Sequence, residues 1–74
     1  MKLWLLQRVR ETFVYDEATG FVVRAKTANI ARLLASKQSG DEGSFTWLNP
    51  VLTSCRSINP EGTPCVILRD FSAG

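Results

Sequence analysis

The first ten residues constrain the fold more than any other stretch. Leu3, Leu5 and Val9 alternate with Lys2, Arg8 and Arg10, the period of a half-buried strand, but Trp4 and Leu6 make the opposite face apolar as well. A strand that is apolar on both faces over its first half needs cover on both sides, which places it in the middle of a sheet. Gly20-Phe21-Val22-Val23-Arg24-Ala25 follows as a second run of β-formers, with Phe21, Val23 and Ala25 on one face and Val22 and Arg24 on the other. This run is expected to pair antiparallel with the first. Between them, Phe13, Val14 and Tyr15 read as a strand extension and Asp16 to Gly20 as a loop.

A change of period follows. Thr27 is placed to cap a helix, and Ile30, Leu33 and Leu34 recur at helical spacing, with Ala31 and Ala35 permitting close packing. Arg32 and Lys37 are expected to face solvent, and Ser39-Gly40 to stop the helix. Asp41 to Asn49 is irregular by composition, yet it carries Phe45, Trp47 and Leu48, which are expected to close the open side of a small core. Thr53 to Ile58, the turn Asn59-Pro60-Glu61-Gly62 and Cys65 to Phe71 read as a second hairpin, Pro and Gly suiting a type I turn. The expected architecture is a single α+β domain over residues 1–74. It is a four-stranded, mostly antiparallel sheet with one helix on one face, in the order β-β-α-β-β. The helix is expected to set Ile30, Leu33 and Leu34 against Leu3, Leu5, Phe21, Val23, Val66 and Leu68 or their opposite-face neighbours.

The core of such a domain is thin, because a chain of 74 residues buries only roughly 60% of the surface exposed when unfolded. The 45% hydrophobic and 22% charged content nevertheless places it among folding chains and away from disordered ones. A domain this small often gains stability from a cross-link, a metal or a second subunit, which makes a homodimer an alternative to the monomer. The apolar start ends at Gln7-Arg8-Val9-Arg10, short of a signal-peptide core. No stretch approaches the ~20 apolar residues of a membrane span. A soluble, cytoplasmic protein is the expectation.

Recognisable catalytic equipment is missing from the composition. There is no histidine and no glycine-rich phosphate loop, and two cysteines are too few for a zinc site within one chain. Cys55 and Cys65 stand opposite one another if the hairpin centres on Pro60, and a shift of one residue separates them. They read as free thiols, with a structural disulfide or a redox role as the alternatives, and no histidine is present to activate either. The acidic pairs Asp16-Glu17 and Asp41-Glu42 read as solvated loop residues, and Asp70 as a structural ion-pair partner for Arg24 or Arg8. No catalytic residue, cofactor or metal is expected.

Charge is unevenly divided. Up to Gly40 seven basic residues face three acidic ones, a net +4, and from Asp41 onward two basic residues face four acidic ones, a net −2. Arg8, Arg10, Arg24 and Lys26 are expected to gather near one end of the first hairpin, with Arg32 or Lys37 nearby, as a positive ledge. Trp4, Phe21 and Tyr15 would stand beside it as aromatic contacts. Such a surface meets an acidic protein face or tracks phosphates, the six basic residues being the candidate partner-binding or nucleic-acid-binding set.

Several stretches carry a resemblance: Met1 to Leu6, Gly20 to Ala25, Ala31 to Ala35, Gly40 to Gly43, Trp47 to Pro50, Thr53 to Cys55 and Val66 to Phe71. Together they resemble small uncharacterised proteins of bacteriophages and prophages, which implies a viral or mobile-element setting. The strand-strand-helix segment is similar in pattern to small anti-CRISPR inhibitors, which block a bacterial defence complex by occupying a nucleic-acid or partner surface. The expected function is therefore non-enzymatic. It is that of a phage-type accessory or anti-defence protein binding a host protein or protein–nucleic-acid complex through a basic and aromatic surface. A direct DNA- or RNA-binding module and a small thiol-dependent redox protein or enzyme are the alternatives.

Overall fold

The computed structural model describes residues 1–9 and 17–69. Its elements run β1 (Lys2–Arg8), β2 (Gly20–Ala25), α1 (Ala28–Ser36), α2 (Ser44–Leu48) and β3 (Thr53–Ile58). The architecture is α+β, with three antiparallel strands in the order β2-β1-β3. β1 is central, as its two apolar faces require. Leu6 is buried on the helix side together with Ala25, Ala31, Ala35 and Trp47, against which Trp4, Ala18, Phe21, Val23 and Cys55 pack. Leu5 is 1% exposed on the opposite side, where Val22 and Arg56 are its cross-strand neighbours.

Two expectations about the sheet are corrected. Among the described residues there is no fourth strand, and Cys65 to Arg69 run exposed and irregular after Ile58. The Asn59-Pro60-Glu61-Gly62 segment bends, and the Glu61 amide donates to Asn59 Oδ1 at 3.0 Å. The chain does not return along β3. Pro64 has no N–H to donate to a ladder and restricts Thr63, just where the expected strand would begin. The outer edge of β3 is moreover partly used, because the Thr53 amide donates to Asn49 O at 3.1 Å and Thr53 O accepts from Arg32 Nη2 at 2.9 Å. The expected end of that strand at Asp70 and Phe71, and the extension through Phe13 to Tyr15, lie outside the described residues.

The single-helix expectation is also corrected. Residues 44–48 form a second helix, entered through Gly43 at φ 84°, a conformation that costs a side-chain-bearing residue energy. α2 delivers Trp47 to the core, fully buried and edge-on to Phe21 at 4.7 Å between ring centroids. Phe45 and Leu48, expected to close the core with it, remain exposed.

α1 starts where its cap requires, the Ile30 amide donating to Thr27 Oγ1 at 3.3 Å. Its rotation differs from expectation. The buried residues are Ala31, Ala35 and Ser36, whereas Ile30, Leu33 and Leu34 are 44%, 48% and 41% exposed. On the sheet, Trp4 and Leu6, the opposite-face neighbours of Leu3 and Leu5, face the helices together with Phe21 and Val23. Val66 and Leu68 are exposed. The reason is volume. Trp4, Phe21 and Trp47 already fill the space under α1, so the helix approaches with its small side chains inward.

Candidate functional site

The five described members of the basic set singled out in the sequence, Arg8, Arg24, Lys26, Arg32 and Lys37, do not form one ledge. β1 pairs Leu3 with Arg24 and Gln7 with Gly20, so Arg8 stands five residues further along β1 than the position opposite Arg24. At about 3.4 Å per residue that is roughly 17 Å. Side-chain alternation also places Arg8 on the helix side of the sheet and Arg24 on the other. Arg8 is moreover neutralised, its Nη1 lying 2.9 Å from Glu17 Oε2. It borders a cleft of about 320 Å³ with Val9, Thr46, Val51 and Leu52. Arg10 lies outside the described residues. Arg24 near the end of β2 and Lys26 in the bend just after it are exposed, and Lys37 is exposed at the C-cap of α1.

Arg32 is the largest departure. Expected at the surface, it is half-buried and ties three elements together. Its Nη1 donates to Trp47 O at 3.0 Å and to Thr53 Oγ1 at 2.8 Å, and Nη2 donates to Thr53 O at 2.9 Å. Thr53 is fully buried, and its hydroxyl lies 3.1 Å from Thr46 O and 3.2 Å from Asn49 O. Trp47 O is one of the carbonyls that a helix leaves unpaired at its C-terminus, where a cation is favoured. The guanidinium is therefore a structural clamp between α1, α2 and β3.

Glu42, read from the sequence as one of a solvated pair, is also structural. Its Oε2 accepts from Trp47 Nε1 at 2.6 Å and its Oε1 from the Ala18 amide at 3.1 Å, while its carbonyl accepts from Thr46 Oγ1 at 2.8 Å. Burial pushes the carboxyl pKa up. The bonds from the Trp47 indole and the Ala18 amide, with those from the Glu42 and Gly40 backbone, outweigh it and hold the pKa below its ordinary 4.5.

The aromatic side of the expected surface is turned inward. Trp47 is buried, and Trp4 and Phe21 are half-buried against the core, the Trp4 indole donating to Ala25 O at 3.0 Å and lying 5.9 Å beneath Lys2 Nζ. Tyr15 lies outside the described residues. Both cysteines are free, Cys55 half-buried and Cys65 exposed. Burial pushes the Cys55 thiol up, opposed by the nearby Arg32 charge. Among the described residues no three His, Cys, Asp or Glu side chains gather in a metal-ligating cluster, and no helix is long and apolar enough to cross a membrane.

What the fold does present is the outer face of α1. Ile30, Leu33 and Leu34 form one stripe at i, i+3, i+4 spacing, Lys37 continues it, and Lys26 stands just before the helix. This stripe was legible in the sequence as helical periodicity, and only its direction was misread. Comparison with known proteins finds no matching family model, no matching curated protein and no matching solved structure.

Proposed function

We propose that the chain is a non-enzymatic binding module that docks onto a partner protein through the outer face of α1. The observation that carries this reading is the inverted helix, with alanines inward and three large aliphatic side chains outward. Burying the exposed half of Ile30, Leu33 and Leu34 against a partner is worth on the order of 1 kcal/mol each, half the value for a whole aliphatic side chain. Lys26 and Lys37 at the two ends of the stripe call for acidic residues on the partner's rim. The fitting partner surface is thus an apolar groove with an acidic border, the helix-in-groove mode of recognition. A phage-type accessory or anti-defence role against a host protein or protein–nucleic-acid complex is the setting in which such a module would act.

A protein partner is favoured over direct nucleic-acid binding by the separation of Arg8 from Arg24 and Lys26 and by the inward aromatic residues. The test is capture from host lysate, with and without nuclease treatment, by immobilised wild-type chain, Leu33→Glu and Lys26→Glu/Lys37→Glu, with circular dichroism to verify folding. Specific stoichiometric proteins are expected on the wild type, lost with Leu33→Glu and reduced at least several-fold with the charge reversal. Equal capture by Leu33→Glu would remove the helix face from the mechanism. Capture abolished by nuclease alone would transfer the function to nucleic acid, and a wild-type dimer dissociated by Leu33→Glu would make a second copy the occupant.

A further inference from the structure

A second surface, sharing only Lys26 with the α1 face, is written in the hydrogen-bond parity of the sheet. In an antiparallel ladder alternate residues turn their N–H and C=O toward the neighbouring strand. The Arg8 amide bonds Thr19 O at 3.3 Å and the Val9 amide bonds Leu52 O at 3.0 Å, so even-numbered β1 residues face β2 and odd-numbered ones face β3. On β2, Phe21, Val23 and Ala25 therefore face β1, and Gly20, Val22 and Arg24 each direct an N–H and a C=O outward. No described residue bonds those groups. On β3 the outward residues are Thr53, Cys55 and Ser57, and the first of them is already satisfied by Asn49 and Arg32, which leaves two against three on β2. The β2 edge is the longer unoccupied one among the described residues.

We propose that this edge accepts an extended acidic peptide segment as an added strand. An unpaired strand edge is a template for another chain, and an added strand draws affinity from main-chain bonds and selectivity from alternate side chains. Both kinds of contact are prepared on β2. Val22 is 60% exposed and Arg24 is exposed on the face away from the helices, while Phe21 and Val23 are half-buried on the other. A residue directly opposite Arg24 places its side chain on the same face, within reach of the guanidinium. Neither Arg24 nor Lys26 has a described acidic partner, the described ion pair being Arg8–Glu17. The same charges disfavour a second copy, because pairing two β2 edges brings Arg24 and Lys26 of both onto one short ribbon. The ligand is thus a segment with acidic residues facing Arg24 and Lys26 and β-branched residues facing Val23 and Phe21.

The probe is the capped peptide acetyl-Glu-Thr-Glu-Val-Thr-Val-Thr-amide, compared with the same peptide N-methylated at the amides that would face β2. Amide exchange is followed residue by residue in the wild type, Arg24→Glu and Leu33→Glu. Saturating peptide is expected to slow exchange at Val22 and Arg24 at least tenfold, and Phe21 and Val23, already bonded to β1, are expected to change little. N-methylation abolishes the effect. Arg24→Glu weakens it at least tenfold and restores it toward the peptide with Lys in place of Glu, and Leu33→Glu leaves it intact, which separates the edge from the α1 face. The proposal is overturned if those amides stay unprotected, if the N-methylated peptide protects them equally, or if Arg24→Glu binds unchanged. Protection that grows with protein concentration in the absence of peptide would assign the edge to a second copy and overturn it equally.

Discussion

At the scale of the residue, two charged side chains carry more of the structure than their surface-like chemistry implies. Arg32 has no carboxylate partner in its clamp, and its bonds go to Trp47 O and to Thr53. Planar, forked donors suit two acceptors on neighbouring elements in a way that an ammonium does not. Arg32→Ala is therefore expected to cost about 2–3 kcal/mol, the range of charge-assisted bonds lost from acceptors on buried residues. Arg32→Lys should recover less than half of that loss. Urea unfolding of the three proteins, followed by Trp fluorescence, checks both values, and equal stability of wild type and Arg32→Ala would return the guanidinium to the solvent. Sequence alone does not reveal this role, because an arginine in the middle of an amphipathic helix reads as exposed whatever its neighbours.

At the scale of the element, α1 shows how one periodicity supports two packings. Residues 28, 31 and 35 and residues 30, 33 and 34 each form a helical stripe, and hydrophobicity favours the second. The fold selects the first because the sheet and α2 supply the bulk. Ala35→Leu should accordingly destabilise by about 1–3 kcal/mol through overpacking against the aromatic cluster, whereas Leu33→Ser should cost under about 1 kcal/mol. Thermal unfolding of the two variants distinguishes the orientations, since the opposite order of costs would place Leu33 in the core. The Thr27 cap, the β1–β2 pairing and the central place of β1 were legible from local pattern. α2 was not, because its five residues are too short for periodicity and its helix is held by tertiary contacts.

At the scale of the whole molecule, Glu42 joins the loop before β2 to α2 and the core, through Ala18, Thr46 and Trp47. Its folded-state pKa is held below the ordinary 4.5. The carboxylate bonds therefore contribute stability that is fully present above that value and lost as pH falls through the folded pKa. Acidification is expected to lower the unfolding midpoint in the wild type and to do so less steeply in Glu42→Gln, which should already be weaker at neutral pH by about 1–2 kcal/mol. Parallel unfolding curves from pH 7 to pH 3 measure this, and identical slopes for the two proteins would show that Glu42 is not the linked group.

By itself the sequence determined the properties that depend on near neighbours along the chain. These are the two strand periods, the cap at Thr27, the helical spacing of α1, and β1 as a strand with two apolar faces. The tertiary structure alone decided which stripe of α1 is buried, how far Arg8 stands from Arg24, where Arg32 and Glu42 place their bonds, and that Cys65 to Arg69 adds no strand. Those outcomes depend on volumes and acceptors contributed by residues far apart in sequence. Trp47 and Phe21 take the room that Leu33 would need, and Thr53 and Trp47 offer the carbonyls that draw Arg32 inward.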